Sequence, residues 1–174
     1  MRAVHREDGA YEHDLARMLA ESSVDCRFTS RRLALGDWIP LRDDPLVAWV
    51  PGSWPEASKL TFPLSEVAKH PFIMPLSDSE NDIDAPFVEH GVAVDDRFAV
   101  HDGYTAWRMV EAGLGISVNN LLMSQLWKGN IAVHLLDPPA SIELGIAVRS
   151  VAAASPAVRA LVDRLRVLVA RMRS

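Results

Sequence analysis

The chain has 174 residues, of which 49% are hydrophobic, 24% charged and 7% aromatic, and its formal net charge is −5. This is the composition of an ordinary soluble globular protein, long enough for one domain or two small lobes around an apolar core. The single cysteine, Cys26, excludes a disulfide scaffold and favours a reducing compartment. A pI of about 5.6 disfavours nucleic-acid binding by bulk charge.

Neither the start of the chain nor its interior resembles a targeting or membrane segment. The first eight residues are largely charged, where a secretory signal would run into an apolar stretch. No apolar run approaches the roughly 20 residues that cross a bilayer. We therefore expect a cytoplasmic protein with no membrane partner.

The first part of the chain predicts short strands and a helix. In order, the pattern predicts a possible strand at Ala3–His5, a helix within Ala10–Ala20, and strands at Val24–Phe28, Ile39–Leu41 and Leu46–Val50. The last of these is an unbroken apolar run between Pro45 and Pro51, as in a strand buried on both faces. Pro51–Pro55 is the clearest linker.

The second part continues the alternation of helices and strands. It predicts a helix at Leu64–Ala68, a strand at Pro71–Pro75, a strand at Phe98–Val100, a helix at Tyr104–Ala112, and strands at Leu114–Val118, Ile131–Leu136 and Ile142–Val148. A final helix follows Ser155 as N-cap and Pro156 as first helical residue, with apolar residues spaced by three and four. This alternation predicts an α/β protein.

The usual sequence anchors of catalysis are missing. No two of the six histidines have the spacing of a helical metal site, and the chain has neither a nucleophile elbow nor a P-loop. Gly113 and Gly115 follow a predicted helix, so they predict a helix C-cap and a close backbone approach rather than a dinucleotide loop. We therefore expect no enzyme, no metal and no cofactor.

Three polar segments lie at predicted strand ends or helix starts, where α/β proteins commonly meet ligands. They are Thr29-Ser30, Ser77-Asp78-Ser79 and His101-Asp102. Each also has a purely structural interpretation: turn formation for the first, and helix N-capping for the other two, with Ser77 and Glu80 forming a capping box. Together the three segments predict a ligand cleft rather than catalytic machinery.

Two further residue sets have structural interpretations that we favour. The arginines of the final helix recur opposite its apolar stripe, which predicts a solvated face rather than a phosphate-binding surface. The five tryptophans are scattered along the chain, which predicts core and boundary positions rather than a stacking platform.

The order of these pieces resembles the effector-binding region of LysR-type transcriptional regulators. The likeness lies in Met18–Phe28, Pro40–Val47, Leu64–Ile73, Met109–Ile116 and the start of the final helix at Ser155–Val158. That family's region is an α/β, type II periplasmic-binding-protein-like fold of two lobes. The resemblance implies lobe I at residues 1–50 and 140–174, N-terminally truncated, and lobe II at residues 55–135.

The resemblance also implies a function and a site. A small-molecule effector would bind between the lobes of a homo-oligomer and control DNA binding by a separate helix-turn-helix region, which this chain does not include. Residues that would face the effector are Gly9, Thr29 and Ser30 from lobe I, and Ser77, Asp78, Ser79, His101 and Asp102 from lobe II. Because acidic residues are concentrated in lobe II, we expect a neutral, zwitterionic or cationic effector.

The chain departs from the family pattern in two places. It begins after the helix-turn-helix, the linker helix and the opening strand and helix of lobe I. Asn119 and Asn120 also follow Val118 where the family usually has an apolar residue and proline. Alternatives left open are a free-standing solute-binding protein, an enzyme on the same fold, and a remnant without independent function.

Overall fold

Strands and helices alternate along the chain, as its hydrophobic pattern predicts. The structure, a computed structural model, describes residues 17–19, 21–34, 36–76 and 80–172. The strands are β1 (Cys26–Ser30), β2 (Asp37–Pro51), β3 (Thr61–Pro63), β4 (Pro71–Pro75), β5 (Asp95–Val100), β6 (Ser117–Asn120), β7 (Ile131–Asp137) and β8 (Ser141–Val148). The α-helices are α1 (Leu64–Val67), α2 (Glu80–Glu89), α3 (Gly103–Glu111), α4 (Leu121–Ser124) and α5 (Pro156–Met172), with 3-10 turns at Arg31–Leu33 and Pro55–Ser58.

Strand β2 corrects the prediction of two separate strands around Pro45. It runs unbroken through Pro40 and Pro45. Proline lacks an N–H but favours extended backbone at the preceding residue, so both prolines fit a strand wherever no partner needs that donor. The separate predictions at Ile39–Leu41 and Leu46–Val50 were therefore wrong about the break but right about the strand.

Several other boundaries differ from the predictions. Strand β1 lies two residues later than predicted, and β6 begins only at Ser117, because the residues before it form the end of a turn. The pattern did not predict β3 or α4, which are three and four residues long. The possible strand at Ala3–His5 and most of the first predicted helix lie outside the described residues; residues 17–19 are helical.

The chain divides into two compact units, 1–42 with 143–174 and 43–142. In the first unit, β8 lies between β1 and the opening residues of β2. Strands β1 and β8 are antiparallel, from Cys26 opposite Val148 to Ser30 opposite Leu144. The assignment of residues 1–50 with 140–174 and 55–135 as effector-binding lobes stays a prediction.

Helix α5 covers one face of the first unit's strands. Its Val158 and Val162 are buried with Ile39, Ile146 and Val148. The Val158 N–H donates to the Ser155 Oγ at 3.3 Å, which confirms the predicted N-cap. Helix α5 is therefore amphipathic, and its apolar side packs on the sheet of the first unit.

The second unit is built on the later residues of β2. They pair antiparallel with β6 and β7, and β3 runs parallel to β7. Strands β4 and β5 form a separate parallel pair. Because β2 has neighbours on both sides here, its residues from Leu46 to Pro51 are all buried.

Three tryptophans that are far apart in sequence meet in the core of the second unit. The ring of Trp49 lies edge-on at 5.1 Å from Trp107 and 6.1 Å from Trp127, measured between centroids. The Trp49 indole N–H donates to the Ser124 Oγ at 2.7 Å. Aromatic edge-to-face packing of this kind stabilises a core, which agrees with the predicted core positions.

The glycine pair after α3 has the structural role predicted for it. Gly113 has φ of +77°, and the Leu114 N–H donates to the Met109 carbonyl at 3.1 Å, closing the helix end. A Cβ at Gly115 would collide with the Pro71 carbonyl, to which the Ile116 N–H donates at 3.0 Å. Glycine is therefore needed where the chain passes β4.

Asp44 is a fully buried carboxylate that ties β2 to the start of α4. Its Oδ2 accepts from the Asn120 Nδ2 at 2.5 Å and from the Leu122 N–H at 3.2 Å. A carboxylate at the first turn of a helix satisfies amides that have no partner within the helix. The half-buried side chain of Asn120 is thereby tied to strand β2.

Replacing Asp44 with alanine should lower the free energy of unfolding by about 2–3 kcal/mol, because two donors lose their acceptor in a buried setting. Urea unfolding followed by tryptophan fluorescence measures the change. Asp25→Ala is the control, since Asp25 is exposed and a surface substitution of this kind changes stability by about 0.5 kcal/mol or less. Equal losses in the two variants would contradict the assigned role of Asp44.

His134 is a buried histidine on β7 whose environment disfavours its charged form. Its ring stacks on Phe62 at 6.2 Å between centroids, and its Nε2 has no hydrogen-bond partner among the described residues. Burial lowers the pKa of His134 below its ordinary value of 6.5; a hydrogen bond with the Ala57 backbone opposes this shift, and nearby Lys59 adds to it.

This environment predicts a dependence of stability on pH. Because the folded pKa is depressed, the unfolded chain binds a proton that the folded chain resists, so stability is lost as the pH falls below 6.5. Urea unfolding at pH 7 and pH 5 should show a smaller loss on acidification in His134→Gln than in the parent. His101→Gln, at an exposed position, should keep the parental pH dependence.

Candidate functional site

Thr29 and Ser30 lie within β1, not after it as predicted. Their side chains are 6% and 5% exposed, so both are buried. Neither the Thr29 Oγ1 nor the Ser30 Oγ has a hydrogen-bond partner among the described residues. A buried hydroxyl without a partner costs about 1–3 kcal/mol. The indole nitrogens of Trp38 and Trp107 and the His134 Nε2 are likewise buried without a partner among the described residues.

The position of the two hydroxyls limits how a ligand could reach them. Successive strand residues point to opposite faces, so Thr29 and Ser30 lie on opposite faces of β1. Ser30 is the last residue of the strand, where the Arg31–Leu33 turn begins. A ligand in contact with both hydroxyls therefore has to lie at the end of β1.

His101 and Asp102 precede α3 in the second unit, and both are exposed. Asp102 is the N-cap of α3: its Oδ1 accepts from the Thr105 N–H at 2.8 Å and its Oδ2 from the Thr105 Oγ1 at 2.6 Å. These bonds, the hydroxyl first, lower the pKa of Asp102. Asp102 therefore caps helix α3, and both of its carboxylate oxygens accept hydrogen bonds from Thr105.

The remaining predicted site residues lie outside the described part of the chain. They are Gly9, Ser77, Asp78 and Ser79. The predicted capping box between Ser77 and Glu80 falls there too, although α2 does begin at Glu80. The structure thus describes Thr29 with Ser30 in the first unit and His101 with Asp102 in the second.

Strand β6 carries buried polar groups that the sequence reasoning did not place in the core. The Ser117 Oγ donates to the Ile73 carbonyl at 2.8 Å, and the Asn119 Nδ2 donates to the Ser117 Oγ at 3.3 Å. Both residues are buried. The available signal in the sequence is the polar run Asn119-Asn120 directly after an apolar segment.

The described residues contain no group of three or more His, Cys, Asp or Glu side chains that could hold a metal ion. None of the helices in the described part is long and apolar enough to span a membrane.

The arginines of α5 are exposed, and Arg159 donates to the carbonyls of Ala154 and Ala152 at 3.0 and 3.1 Å. Arg173 lies outside the described residues.

The Thr29 and Ser30 hydroxyls are buried near the end of β1 and have no partner among the described residues, a place where α/β domains commonly bind ligands. The LysR substrate binding domain model matches residues 9–169. The chain therefore belongs to the LysR substrate-binding domain family. Its mixed α/β architecture is the type II periplasmic-binding-protein-like fold, and the family assigns it the role of a ligand-sensing regulatory domain.

Solved structures support the same fold. The regulatory domain of CcmR from Synechocystis PCC6803, in complex with 2-PG, has a TM-score of 0.78 and 18% identity, over 91% of this chain and 79% of that one. Full-length BenM has a TM-score of 0.77 and 24% identity, over 92% and 55%. HinK, a LysR family regulator from Pseudomonas aeruginosa, has a TM-score of 0.76 and 18% identity, over 91% and 57%.

The matched lengths differ between isolated domains and whole regulators. The chain covers 79% of the CcmR domain but only 55% of full-length BenM and 57% of HinK. No curated protein matches the chain in sequence.

The capping role of Asp102 can be tested by two substitutions at the same position. Asp102→Ala should lower the melting temperature because the first turn of α3 loses its acceptor, whereas Asp102→Ser keeps a capping oxygen and should stay close to the parent. Differential scanning calorimetry measures both. Equal melting temperatures for the alanine and serine variants would show that the cap contributes nothing.

Proposed function

We propose that this chain is the effector-sensing part of a LysR-type transcriptional regulator and has no catalytic activity. A small metabolite binds to it and shifts a homo-oligomer between states that differ in DNA affinity. DNA is contacted by a helix-turn-helix region, and the protein acts in the cytoplasm. The family match over residues 9–169 supports the regulatory role, and the complex of the CcmR domain with 2-PG supports a small-molecule effector.

The observation that carries the ligand-binding role is the pair of buried hydroxyls on β1. A ligand oxygen or nitrogen that bonds with Thr29 and Ser30 removes the cost of leaving them unsatisfied. Protein sites that are polar before binding often trade stability for ligand affinity. We therefore assign these two residues as direct effector contacts.

The other predicted site residues complete this proposal. We include Gly9, Ser77, Asp78 and Ser79 among the proposed effector contacts because the family resemblance implies them. His101 offers a ring that no hydrogen bond occupies among the described residues, whereas Asp102 acts by holding the start of α3 in place. Because the acidic residues concentrate in 75–103, we propose a neutral, zwitterionic or cationic effector.

A thermal-shift screen tests the proposal, with amino acids, amides, amines and dicarboxylates as probes. An effector raises the melting temperature by an amount that grows with the logarithm of its concentration relative to its dissociation constant. Thr29→Val and Ser30→Ala should each weaken the apparent affinity for the effector about tenfold, equivalent to about 1.4 kcal/mol. The rise in melting temperature at a given effector concentration should be smaller accordingly. Their ligand-free melting temperatures should equal or exceed that of the parent, because each variant removes an unsatisfied buried hydroxyl.

Thr61→Val is the matched control, since Thr61 is an exposed threonine on a strand. It should leave the ligand response unchanged. If Thr29→Val instead lowers the ligand-free stability and keeps the ligand response, the hydroxyl has a structural role and the assigned contact is wrong. Stabilisation by dicarboxylates alone would contradict the proposed charge of the effector.

A further inference from the structure

Strand β1 forms an open edge of the first unit's sheet. It stands at the end of the strand order β1-β8-β2, and among the described strands it pairs only with β8. The main-chain groups on its outer side therefore have no strand partner within the described part of the chain. An open edge of this kind is a template for pairing with a strand of another chain.

An apolar side chain lies exposed on this edge. Phe28 is opposite Ile146 of β8, and Ile146 is buried with Val158 and Val162 of α5. Because opposite residues of antiparallel strands share a face, Phe28 lies on the face of the sheet that α5 covers. Phe28 is nevertheless 59% exposed. The cover that α5 provides therefore stops short of the middle of β1.

Helix α5 also has exposed leucines on the flank nearer to β1. Its Arg166 lines a groove together with Trp38, from the opening residues of β2. With 3.6 residues per turn, Leu161 and Leu168 lie on the opposite flank of the helix. Since β8 separates β1 from β2, that flank is on the side of β1. The two leucines are 43% and 54% exposed, so an apolar strip runs beside the open edge.

A second copy of the chain fits this edge in one antiparallel register. When two copies of β1 pair about a two-fold axis, the axis passes between two copies of one residue, because opposite residues share a face. An axis at Phe28 pairs all five residues of β1 with all five of the other copy. Cys26 then lies opposite Ser30, and Arg27 opposite Thr29. An axis at any other residue pairs fewer of them.

The charges at β1 select the same register. With the axis at Phe28, Asp25 of one copy lies opposite Arg31 of the other, and both side chains are exposed. An axis one residue earlier places Arg27 opposite Arg27, and one residue later places Arg27 opposite Arg31. Like charges directly opposite destabilise a strand pair, whereas opposite charges stabilise it. Within its own copy Arg31 already lies 3.5 Å from Glu143, so its guanidinium is held near this edge.

The same axis places both α5 helices on one face of the joined sheet. Neighbouring strands lie about 4.8 Å apart and packed helices about 8–10 Å apart, so one helix covers about two strands. The four central strands, β8 and β1 from each copy, therefore take two helices side by side. Leu161 and Leu168 of both copies then fill the seam between the helices, above the two Phe28 rings.

We propose that the outer edge of β1 is an interface with a second copy of this chain, paired antiparallel about Phe28 and covered by Leu161 and Leu168 of both α5 helices. The contact uses main-chain groups along the side of β1, whereas the proposed effector lies at the end of the strand. It rests on the proposed function only in being one contact of the homo-oligomer, and it is independent of the effector role of Thr29 and Ser30.

A disulfide across the axis tests the register. Cys26 is the only cysteine, so Cys26→Ser/Phe28→Cys leaves one thiol per chain, at the proposed centre. Opposite residues of an antiparallel pair have Cα atoms about 4.5–5.5 Å apart, which a disulfide can span. On mild oxidation this variant should form a covalent dimer about tenfold faster than Cys26→Ser/Thr61→Cys, because the paired edge raises the effective thiol concentration. Thr61 is an exposed strand residue outside the first unit.

Sedimentation equilibrium of the whole chain measures the dimer itself. Two short strands and two helix flanks make a small interface, so we expect a dissociation constant of about 1–100 μM. Phe28→Lys should weaken dimerisation about tenfold or more, because two lysines then face each other across the axis. Leu60→Lys is the control, since Leu60 is an exposed leucine outside the first unit. Circular dichroism spectra of both variants should match the parent.

Charge reversal tests the pairing of Asp25 with Arg31. Asp25→Arg and Arg31→Asp should each weaken dimerisation by about 3–5-fold, and the double variant should return to within about twofold of the parent. Thr29→Val should keep the parental dissociation constant of the dimer, because the contact uses the main chain of β1 rather than this hydroxyl.

Three results would overturn the proposal. One is a dimer that Phe28→Lys leaves intact, which would place the interface elsewhere. Another is a chain that stays monomeric while the amides of β1 resist hydrogen exchange, which would show that the edge is covered within one copy. The third is a double charge variant that recovers nothing, which would exclude this register. A lost effector response with an intact dimer would contradict only the proposed function.

Discussion

The rest of the structure depends on satisfying both edges of strand β2. From Leu46 to Pro51 every residue is buried, and the backbone there pairs with β6 on one side and β7 on the other. An unpaired backbone amide in such a setting would cost free energy comparable to a lost hydrogen bond. The same strand opens in the first unit, where β8 is its neighbour. Different parts of β2 thus supply backbone pairing within each unit.

The hydrogen bonds that buried and capping polar groups make explain the positions of several polar residues. Asp44, Ser117 and Asp102 are polar residues whose bonds to nearby backbone or side chains explain their positions. Thr29 and Ser30 are equally polar and are buried, yet no described residue bonds their hydroxyls. A sequence cannot make this distinction, since it contains the donor but not its partner. The Trp38 and Trp107 indole nitrogens and the His134 Nε2 also lack a partner among the described residues, so it is their position at the end of β1 that favours Thr29 and Ser30 as the proposed ligand contacts.

The sequence predictions were accurate where the interacting residues are close in sequence, and less accurate where they are far apart. Helix α5 and its Ser155 cap, and the left-handed Gly113, depend on neighbours within about five residues, and both predictions were confirmed. The break in β2 was wrong because a proline's effect depends on whether a partner strand needs its N–H. The meeting of Trp49, Trp107 and Trp127 depends on contacts across as many as 78 positions, which no local pattern reports.

By itself the sequence determined the α/β class, the amphipathic final helix and the family, because composition, periodicity and motif order are properties of the chain alone. It also marked Thr29-Ser30 and His101-Asp102 as polar segments near element ends. Only the tertiary structure decided that Asp102 caps α3, that the β1 hydroxyls are buried with no partner among the described residues, and that Trp38 and Arg166 line one groove. Those outcomes depend on which distant groups approach each side chain, and that is set by packing rather than by local sequence.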